Sequence, residues 1–588
     1  MARREQWIEL TKKADFTAWG KALHITPLTA RLLRNRDITT LEEAGQFLYG
    51  TMDDLADPHL MKDLDKGADL LEKAIEERQG IAIVSDFDDD GIFAGQILFE
   101  GLKNLGGNPV IYTPERLTEG YGLNARIIDE AKRDGMGVIL TCDNGIAAIE
   151  ETDYAKSLGF TVIVTDHHEV QNRLPAADAV IDPKQVDCAY PFKGLCGAGV
   201  AFRLIQVLYE RAGIPKEKEE ELYEYAAIAT VADVMELKGE NRILVKAGLE
   251  KLRITEKIGL KALIDVCGLV QEKISAYHIG FVIGPCFNAV GRLTHARLAF
   301  DLLQTRDQVT AIELASEIHA LNEERKKKTE EGFDLAVSKL EHSARLKDPV
   351  MLVYLPGVHE SVVGIIAGRL KERYSRPVFV FTDSGEWLKG SGRSIPAYHM
   401  LKGLLSVSDL LGKFGGHAMA AGLSIRPENL EKLREALNLS CGLSEKDLVP
   451  VVNIDARMPL SYVSEQLIRE FSVLEPFGTG NPRPVFARAH FRIHQMRVIG
   501  KNRNTLRMVV SDESGTRMEA VLFNEAEEFI SLMKETYGAY ETDKALRGAE
   551  NCLDAAFTYY PEINEYRDSR TLQITVRSYQ VLKAQGNT

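Results

Sequence analysis

The sequence predicts an α/β protein: a parallel sheet in the N-terminal half, a long connecting helix, a second, smaller α/β segment, and a C-terminal antiparallel sheet or small barrel. Three observations carry this. Between residues 80 and 183, nearly continuous apolar runs alternate with helical patterns, as in βαβ units whose strands are covered on both faces. A second α/β pattern starts at "PVMLVYLPG" (349–357) and runs to about 445. From about 450, "VFARAHFRIHQMRVIGKNRNTLRMVVSDESGTRMEAVLF" alternates apolar and polar residues between turn signals.

Taken in order, "IAIVSD" (81–86) reads as a strand and 92–105 as a helix. "PVIYTP" (109–114) is a strand, 124–134 a helix, "GVILTCD" (137–143) a strand, 147–157 a helix, and "FTVIVTD" (160–166) a strand. Residues 215–266 read as mainly helical, and a long polar helix is expected over 306–343. Within it, the basic run Arg325–Lys328 is read as a solvated face rather than a phosphate contact.

At 588 residues the chain exceeds one core, so several domains are expected. A composition of 45 % hydrophobic and 27 % charged residues is that of an ordinary globular protein. No uncharged apolar stretch is long enough to span a membrane, and "MARREQWIELTKK" has no apolar core behind its charges, so neither a span nor a signal peptide is expected. Seven cysteines without a CxxC pair argue against a disulfide framework or a zinc site and suit a reducing cytoplasm. The net charge of −14 gives no global hint of nucleic acid.

Three predicted strands end in aspartate: Asp86, Asp143 and Asp166. Open parallel sheets place their sites beyond the carboxyl ends of the strands, so these carboxylates are expected to converge. "SDFDDDGIFAG" (85–95) adds Asp88, Asp89 and Asp90. Asp and Gly are common in ordinary turns. Such crowded like charges repel, however, and a divalent cation removes the repulsion. Asp88 and Asp90, two apart in an extended segment, are expected to face one site. "TCDNG" (141–145) repeats the arrangement and alone would be an ordinary turn. "VTDHHE" (164–169) sets His167 and His168 beside Asp166, offering metal ligation and acid–base chemistry. "TVADVMEL" (230–237) adds Asp233, alone a surface acid or helix cap.

A further signal lies in the C-terminal region. From Pro476 to Ser511 there are seven basic residues and no acid: Arg483, Arg488, Arg492, Arg497, Lys501, Arg503 and Arg507. With Phe486 and Phe491, they suit a barrel that holds single-stranded nucleic acid; a plain basic sheet face is the alternative.

Together the four acidic segments resemble the DHH phosphoesterase superfamily, whose name matches Asp166-His167-His168. The stretches "PERLTEGYGLN", "GLCGAGVAF", "GPCFNAVGRL", "HESVVGIIAGRL", "GSGRSI", "GGHAMAAG" and "LEPFGTGNPRPVF" narrow the likeness to its single-stranded-DNA exonucleases, densely over about 45–490. The resemblance implies an N-terminal segment and parallel-sheet DHH domain (1–305), a connecting helix (306–343), a DHH-associated substrate-binding domain (344–447), and an OB-like β-barrel with a C-terminal extension (448–588). It implies that Asp88, Asp90, Asp143, His167 and Asp233 hold two divalent cations, Mn2+ or Mg2+, with Asp90 and Asp143 bridging. Asp86 and Asp166 are auxiliary carboxylates, and His168 contacts the scissile phosphate or handles a proton. Arg116, Tyr121, Asn288, Arg292, His359, Arg369, Ser391, Arg393, Gly415, Gly416 and His417 are the implied substrate contacts, with capture of a terminal 5′ phosphate as the source of direction.

Asp89 stands where the family carries a small or apolar residue and is expected to be exposed rather than a ligand. Val84, Cys286 and Asp182 also depart from the pattern, where an extra histidine, a basic residue and asparagine would be usual. The implied activity is 5′-to-3′ degradation of single-stranded DNA to mononucleotides in repair and recombination. A cytoplasmic monomer is expected, with a free 5′ end as substrate and a helicase and a single-strand-binding protein as further partners. The alternatives are a DHH enzyme for short oligonucleotides or cyclic dinucleotides, and a non-catalytic single-strand-binding scaffold.

Overall fold

The computed structural model describes residues 5–582 except 117–118, 172 and 567–568. Leu117 and Thr118 of the stretch 114–124, and the ends of the first and last expected domains, therefore lie outside the described residues. The chain forms two compact units, Thr51–Val449 and Met1–Gly50 together with Pro450–Thr588.

In the larger unit, a five-stranded parallel sheet runs in the order Asn108–Tyr112, Gly80–Ser85, Met136–Cys142, Thr161–Thr165, Ala179–Ile181. Side chains alternate across a strand. Ile81, Ile83, Leu140, Ile163 and Ile181 therefore enter one core with Phe93, Ile97 and Phe202. Ala82, Val84, Ile139, Val162, Val164 and Val180 enter another with Ile127, Ile128 and Ala155. Burial on both faces is why these strands read as unbroken apolar runs. The fifth strand, Ala179–Ile181, is only three residues long, too short to show a pattern.

The connecting helix spans Gln308–Glu341, with Asp307 capping its first turn by accepting from the Thr310 backbone N–H at 2.8 Å. Its last turns contribute Ala336 and Leu340 to the core of a second five-stranded sheet. That sheet runs Leu411–Gly416, Ala420–Ile425, Trp387–Arg393, Val378–Ser384, Met351–Tyr354, and the last two strands are parallel.

In the smaller unit, strands Phe486–Ile499, Thr505–Ser511, Arg517–Leu522, Ser569–Val581 and Asp554–Tyr566 pair in sequence, and the last pairs back with the first. The result is a closed five-stranded barrel of the OB type. The N-terminal fifty residues belong to this unit, unlike the expected partition, which kept them with the parallel sheet. Gln6–Glu9 pairs in parallel with Val451–Ile454, and Leu32, Leu33, Phe47 and Leu48 share the barrel core. Arg36 is buried and donates to Asn481 Oδ1 at 2.6 Å and to the Pro482 carbonyl at 2.6 Å. Among the described residues, no helix is long and apolar enough to cross a membrane.

Candidate metal centre

Strand register aligns the acids. Ser85, Cys142, Thr165 and Ile181 are partners across the sheet. The residues that follow them are Asp86, Asp143, Asp166 and Asp182, a row of four carboxylates along the C-terminal edge. Asp182 joins the row because of the unanticipated fifth strand. It is buried, its Oδ1 accepts from the Lys184 N–H at 2.7 Å, and burial with Asp166 nearby pushes it up to about 7. Val84, one position before the strand end, is buried in the sheet and supplies only its carbonyl, which accepts from Asn144 Nδ2 at 2.9 Å.

The helix after the first strand starts earlier than the pattern suggested, at Asp89. Asp88 is its N-cap and accepts from the Gly91 N–H at 3.1 Å. Asp90 sits in the first turn, so a helical step, not an extended i, i+2 step, relates it to Asp88. Asp90 is held from across the fold: its two oxygens accept from the Gly197 N–H at 2.6 Å and the Ala198 N–H at 2.7 Å, at the start of helix Gly197–Ala212. A helix N-terminus favours a carboxylate in this way. A Cβ on Gly197 would lie 2.6 Å from the Asp143 Cβ, so only glycine permits this approach. Gly197 and Ala198 lay unassigned within "GLCGAGVAF". Asp89 is not exposed: it is 2 % accessible and accepts from Asn288 Nδ2. Helix Gly284–Leu293 covers it, with Gly291 pressed so close that a Cβ would meet the Phe87 carbonyl oxygen at 2.0 Å.

His167 is the hub. Its Nε2 lies 3.1 Å from Asp143 Oδ1, 3.5 Å from Asp90 Oδ2 and 3.9 Å from Asp233 Oδ2. Asp233 arrives as the C-cap of helix Tyr223–Ala232, followed by Val234 at φ 59°, a left-handed conformation rare for a β-branched residue. Asp143 itself has φ 59°. Asp166 points inward and organises the loop: Oδ1 accepts from the His167 and His168 N–H groups at 2.7 and 3.1 Å, Oδ2 from the Ile146 N–H at 2.9 Å, and His168 Nδ1 lies 2.7 Å from Oδ1. Burial alone would raise Asp166, but its bond to His168 outweighs this and holds it below the usual range. The same bond overcomes burial at His168 and raises its pKa, whereas burial lowers that of His167. The Tyr121 hydroxyl donates to the Asp143 carbonyl and stands 3.4 Å from His168 Nε2.

The donor set fits hard divalent cations. Asp86, Asp88 and Asp143 offer oxygens within 4.8 Å of one another; the ligand atoms of Asp143, His167 and His168, and of Asp90, His167 and Asp233, are as close. Both oxygens of Asp86, Oδ1 of Asp143 and Nδ1 of His167 are buried without a hydrogen-bond partner. Burial first, and then neighbouring carboxylates, push Asp86, Asp88 and Asp143 above the usual range and Asp233 to about 8. Buried polar atoms need partners, and crowded oxygens of this kind suit Mg2+ or Mn2+.

A basic side adjoins the acids. The Arg116 guanidinium lies 4.8 Å from the Phe87 ring centre. Arg292 donates to the Ser361 carbonyl at 3.0 Å, and burial beside Arg116 and Arg325 lowers it to about 10. Arg325 is half-buried and interacts with Asp89 and Arg369, unlike Lys326, Lys327 and Lys328, which pair with glutamates on the expected solvated face. In the second sheet, Arg393 donates to Ser391 Oγ at 3.2 Å, and a Cβ on Gly364 would crowd both. His359 caps helix Glu360–Tyr374, its Nδ1 2.7 Å from Ser361 Oγ. The exposed Arg369 guanidinium lies 5.1 Å from the Phe333 ring centre. Gly415 and Gly416 end strand Leu411–Gly416, Gly416 with φ 146°, and the exposed His417 opens the hairpin turn, its N–H donating to the Ala420 carbonyl.

In the smaller unit, four of the seven basic residues meet carboxylates: Arg483 with Glu562, Arg488 with Glu513, Arg492 with Glu550, and Arg507 with Glu519. Phe486 and Phe491 are core residues, stacked on Phe471 and Phe557, so neither offers a face to a base.

Three family models match: the DHH family N-terminal domain over 80–231, the DHHA1 domain over 347–442 and the RecJ OB domain over 454–578. A Bacillus subtilis protein described as single-stranded-DNA-specific exonuclease RecJ is 38 % identical over 532 residues, which cover 90 % of this chain and 67 % of that one. This chain belongs to the RecJ family. The crystal structure of RecJ in complex with Mn2+ from Thermus thermophilus superimposes with a TM-score of 0.82 at 26 % identity, covering 99 % of this chain and 80 % of the other. The Mg2+ complex of the same RecJ gives 0.77 at 25 %, covering 99 % and 79 %.

Proposed function

We propose that this chain is a metal-dependent exonuclease that hydrolyses single-stranded DNA from a free 5′ end to mononucleotides, in repair and recombination. The observation that carries this reading is the convergence of Asp86, Asp88, Asp90, Asp143, His167 and Asp233 around partnerless buried oxygens, with arginines alongside. The names of the RecJ relatives support the substrate. Asp88, Asp90, Asp143, His167 and Asp233 would hold the cations, and the two bare oxygens of Asp86 add it to the set. Two Mn2+ or Mg2+ ions bound there would polarise the scissile phosphate, activate a water and neutralise the leaving oxygen.

The chain's own groups do the rest. Asp166 fixes the orientation of His168 and favours its imidazolium, which can donate to a phosphate oxygen or return a proton to the leaving group. Tyr121 holds the Asp143 backbone against this imidazole. Arg116 and Arg292 offer planar donors to the phosphates entering the centre. Ser391, Arg393, His359, Arg369 and the Gly415–Gly416–His417 turn would take the terminal 5′ phosphate, which sets direction by requiring an end. The barrel, with Arg497, Lys501 and Arg503, would add a further grip on single-stranded DNA. A helicase and a single-strand-binding protein are the partners this activity implies, for a monomer acting in the cytoplasm.

The deciding experiment incubates the protein with Mn2+ and end-labelled single- and double-stranded oligonucleotides, with and without a 5′ phosphate, and with a cyclic dinucleotide. Mononucleotides released from the 5′ end of single strands alone are expected. Binding without turnover, or preference for the cyclic dinucleotide, overturns the reading.

A further inference from the structure

Away from the acidic centre, the fold gathers three residues that the sequence scatters. Cys267 caps helix Ile258–Val266, Cys286 lies on helix Gly284–Leu293, and His319 lies on the connecting helix Gln308–Glu341. The Cys267 Sγ is 3.9 Å from the Cys286 Sγ and 3.7 Å from His319 Nδ1. All three ligand atoms lie within 4.8 Å of one another. A tetrahedral Zn2+ with bonds of ~2.3 Å to sulfur and ~2.05 Å to nitrogen separates two sulfurs by ~3.8 Å and a sulfur from a nitrogen by ~3.6 Å. The separations of Cys267 from Cys286 and from His319 are those of such a ligand set.

The surroundings suit a cation as well. Cys286 is fully buried, while Cys267 and His319 are half-buried. Asn322 Nδ2 donates to Cys286 Sγ at 3.3 Å, the kind of outer hydrogen bond that steadies a metal-bound thiolate. The donors are soft, whereas the acidic centre offers mainly carboxylate oxygen, so the two places would favour different metals. The lack of a CxxC pair pointed away from zinc, but helix packing assembles ligands 19 and 52 residues apart. We propose that Cys267, Cys286 and His319 bind one zinc-type cation that ties the connecting helix to the DHH domain. Cys286 lies two residues before Asn288, which holds Asp89, and Asn322 lies three before Arg325, so the tie braces the basic side of the catalytic cleft.

The test uses the full chain, reduced and stripped of metal, titrated with Co2+ as a reporter for Zn2+. A thiolate-to-cobalt charge-transfer band should grow to one equivalent and vanish on adding Zn2+. It should persist in Asp143→Ala, which disables only the acidic centre, and disappear in Cys267→Ser and weaken in His319→Ala. Both of those substitutions are at half-buried positions and spare the fully buried Cys286. Zn2+ should also raise the melting temperature of the parent chain by several degrees more than that of Cys267→Ser. No charge-transfer band in the folded parent chain, or an equal band in Cys267→Ser, overturns the proposal. So does a Cys267–Cys286 disulfide in the purified protein with no cation taken up after reduction.

Discussion

Gly197 illustrates how much one residue can carry at the centre. Its N–H binds Asp90, and its missing side chain leaves room for Asp143. Gly197→Ala should push Asp143 aside by a fraction of an ångström or more and lower kcat about a hundredfold, the usual penalty for ~1 Å of misplacement, with circular dichroism unchanged. Asp143→Ala should abolish hydrolysis while single-strand binding, measured by fluorescence anisotropy, stays within a fewfold of the parent. In the proposed function the grip comes from arginines and lysines, not from the acids. Asp166→Ala should lose about 10–100-fold in metal affinity or turnover, because Asp166 orients the histidine loop rather than facing the cleft. The acidic residues were legible in sequence because three strand-end motifs repeat one chemistry and a fourth acidic segment, with Asp233, completes the family pattern. The helix start that holds Asp90, and the burial of Asp89, were not legible, since both depend on elements a hundred or more positions away.

At the scale of elements, unbroken apolar runs marked the strands that are covered on both faces, as in Gly80–Ser85 and Met136–Cys142. The strand Ala179–Ile181 escaped, so Asp182 was a departure without a place until pairing with Thr161–Thr165 put it in the acidic row. Helix Tyr223–Ala232 delivers Asp233 and also carries Glu224, which is 3 % exposed and 3.7 Å from Lys257. Burial moves the Glu224 pKa up from 4.5 to about 7. The folded state therefore holds its proton longer than the unfolded state does. The stability it contributes is complete below pH 4.5 and is lost as pH rises through about 7. A move from 4.5 to about 7 corresponds to roughly 3 kcal/mol. Chemical denaturation of Glu224→Gln should show a shallower decline over this window than the parent; an identical pH dependence would refute the assignment.

For the whole molecule, the N-terminal fifty residues and the barrel form one unit, joined by the Gln6–Glu9 strand and a common core. Deleting only the residues after 447 would strip the cover from Leu32, Phe47 and Leu48, and such a chain should aggregate. A chain of residues 51–449 should instead remain folded, keep turnover on short single strands, and show a KM on long ones raised at least tenfold. An unchanged KM would remove the barrel from strand binding. Within the barrel, Arg497, Lys501 and Arg503 have no ion pair among the described residues. Replacing all three with alanine should reduce the log–log salt slope of single-strand binding by about 2, at ~0.7 for each phosphate no longer neutralised.

The sequence by itself determined the chemistry: carboxylates and paired imidazoles at strand ends, an α/β core, and a β-rich C-terminal part, all written in local patterns of periodicity and residue type. Only the tertiary structure decided which backbone N–H groups hold Asp90, that Asp89 and Asp182 are buried, that the two ends of the chain share a core, and that Cys267 and Cys286 meet His319. Those contacts join positions far apart in the chain, and a local pattern carries no record of what will be packed against it.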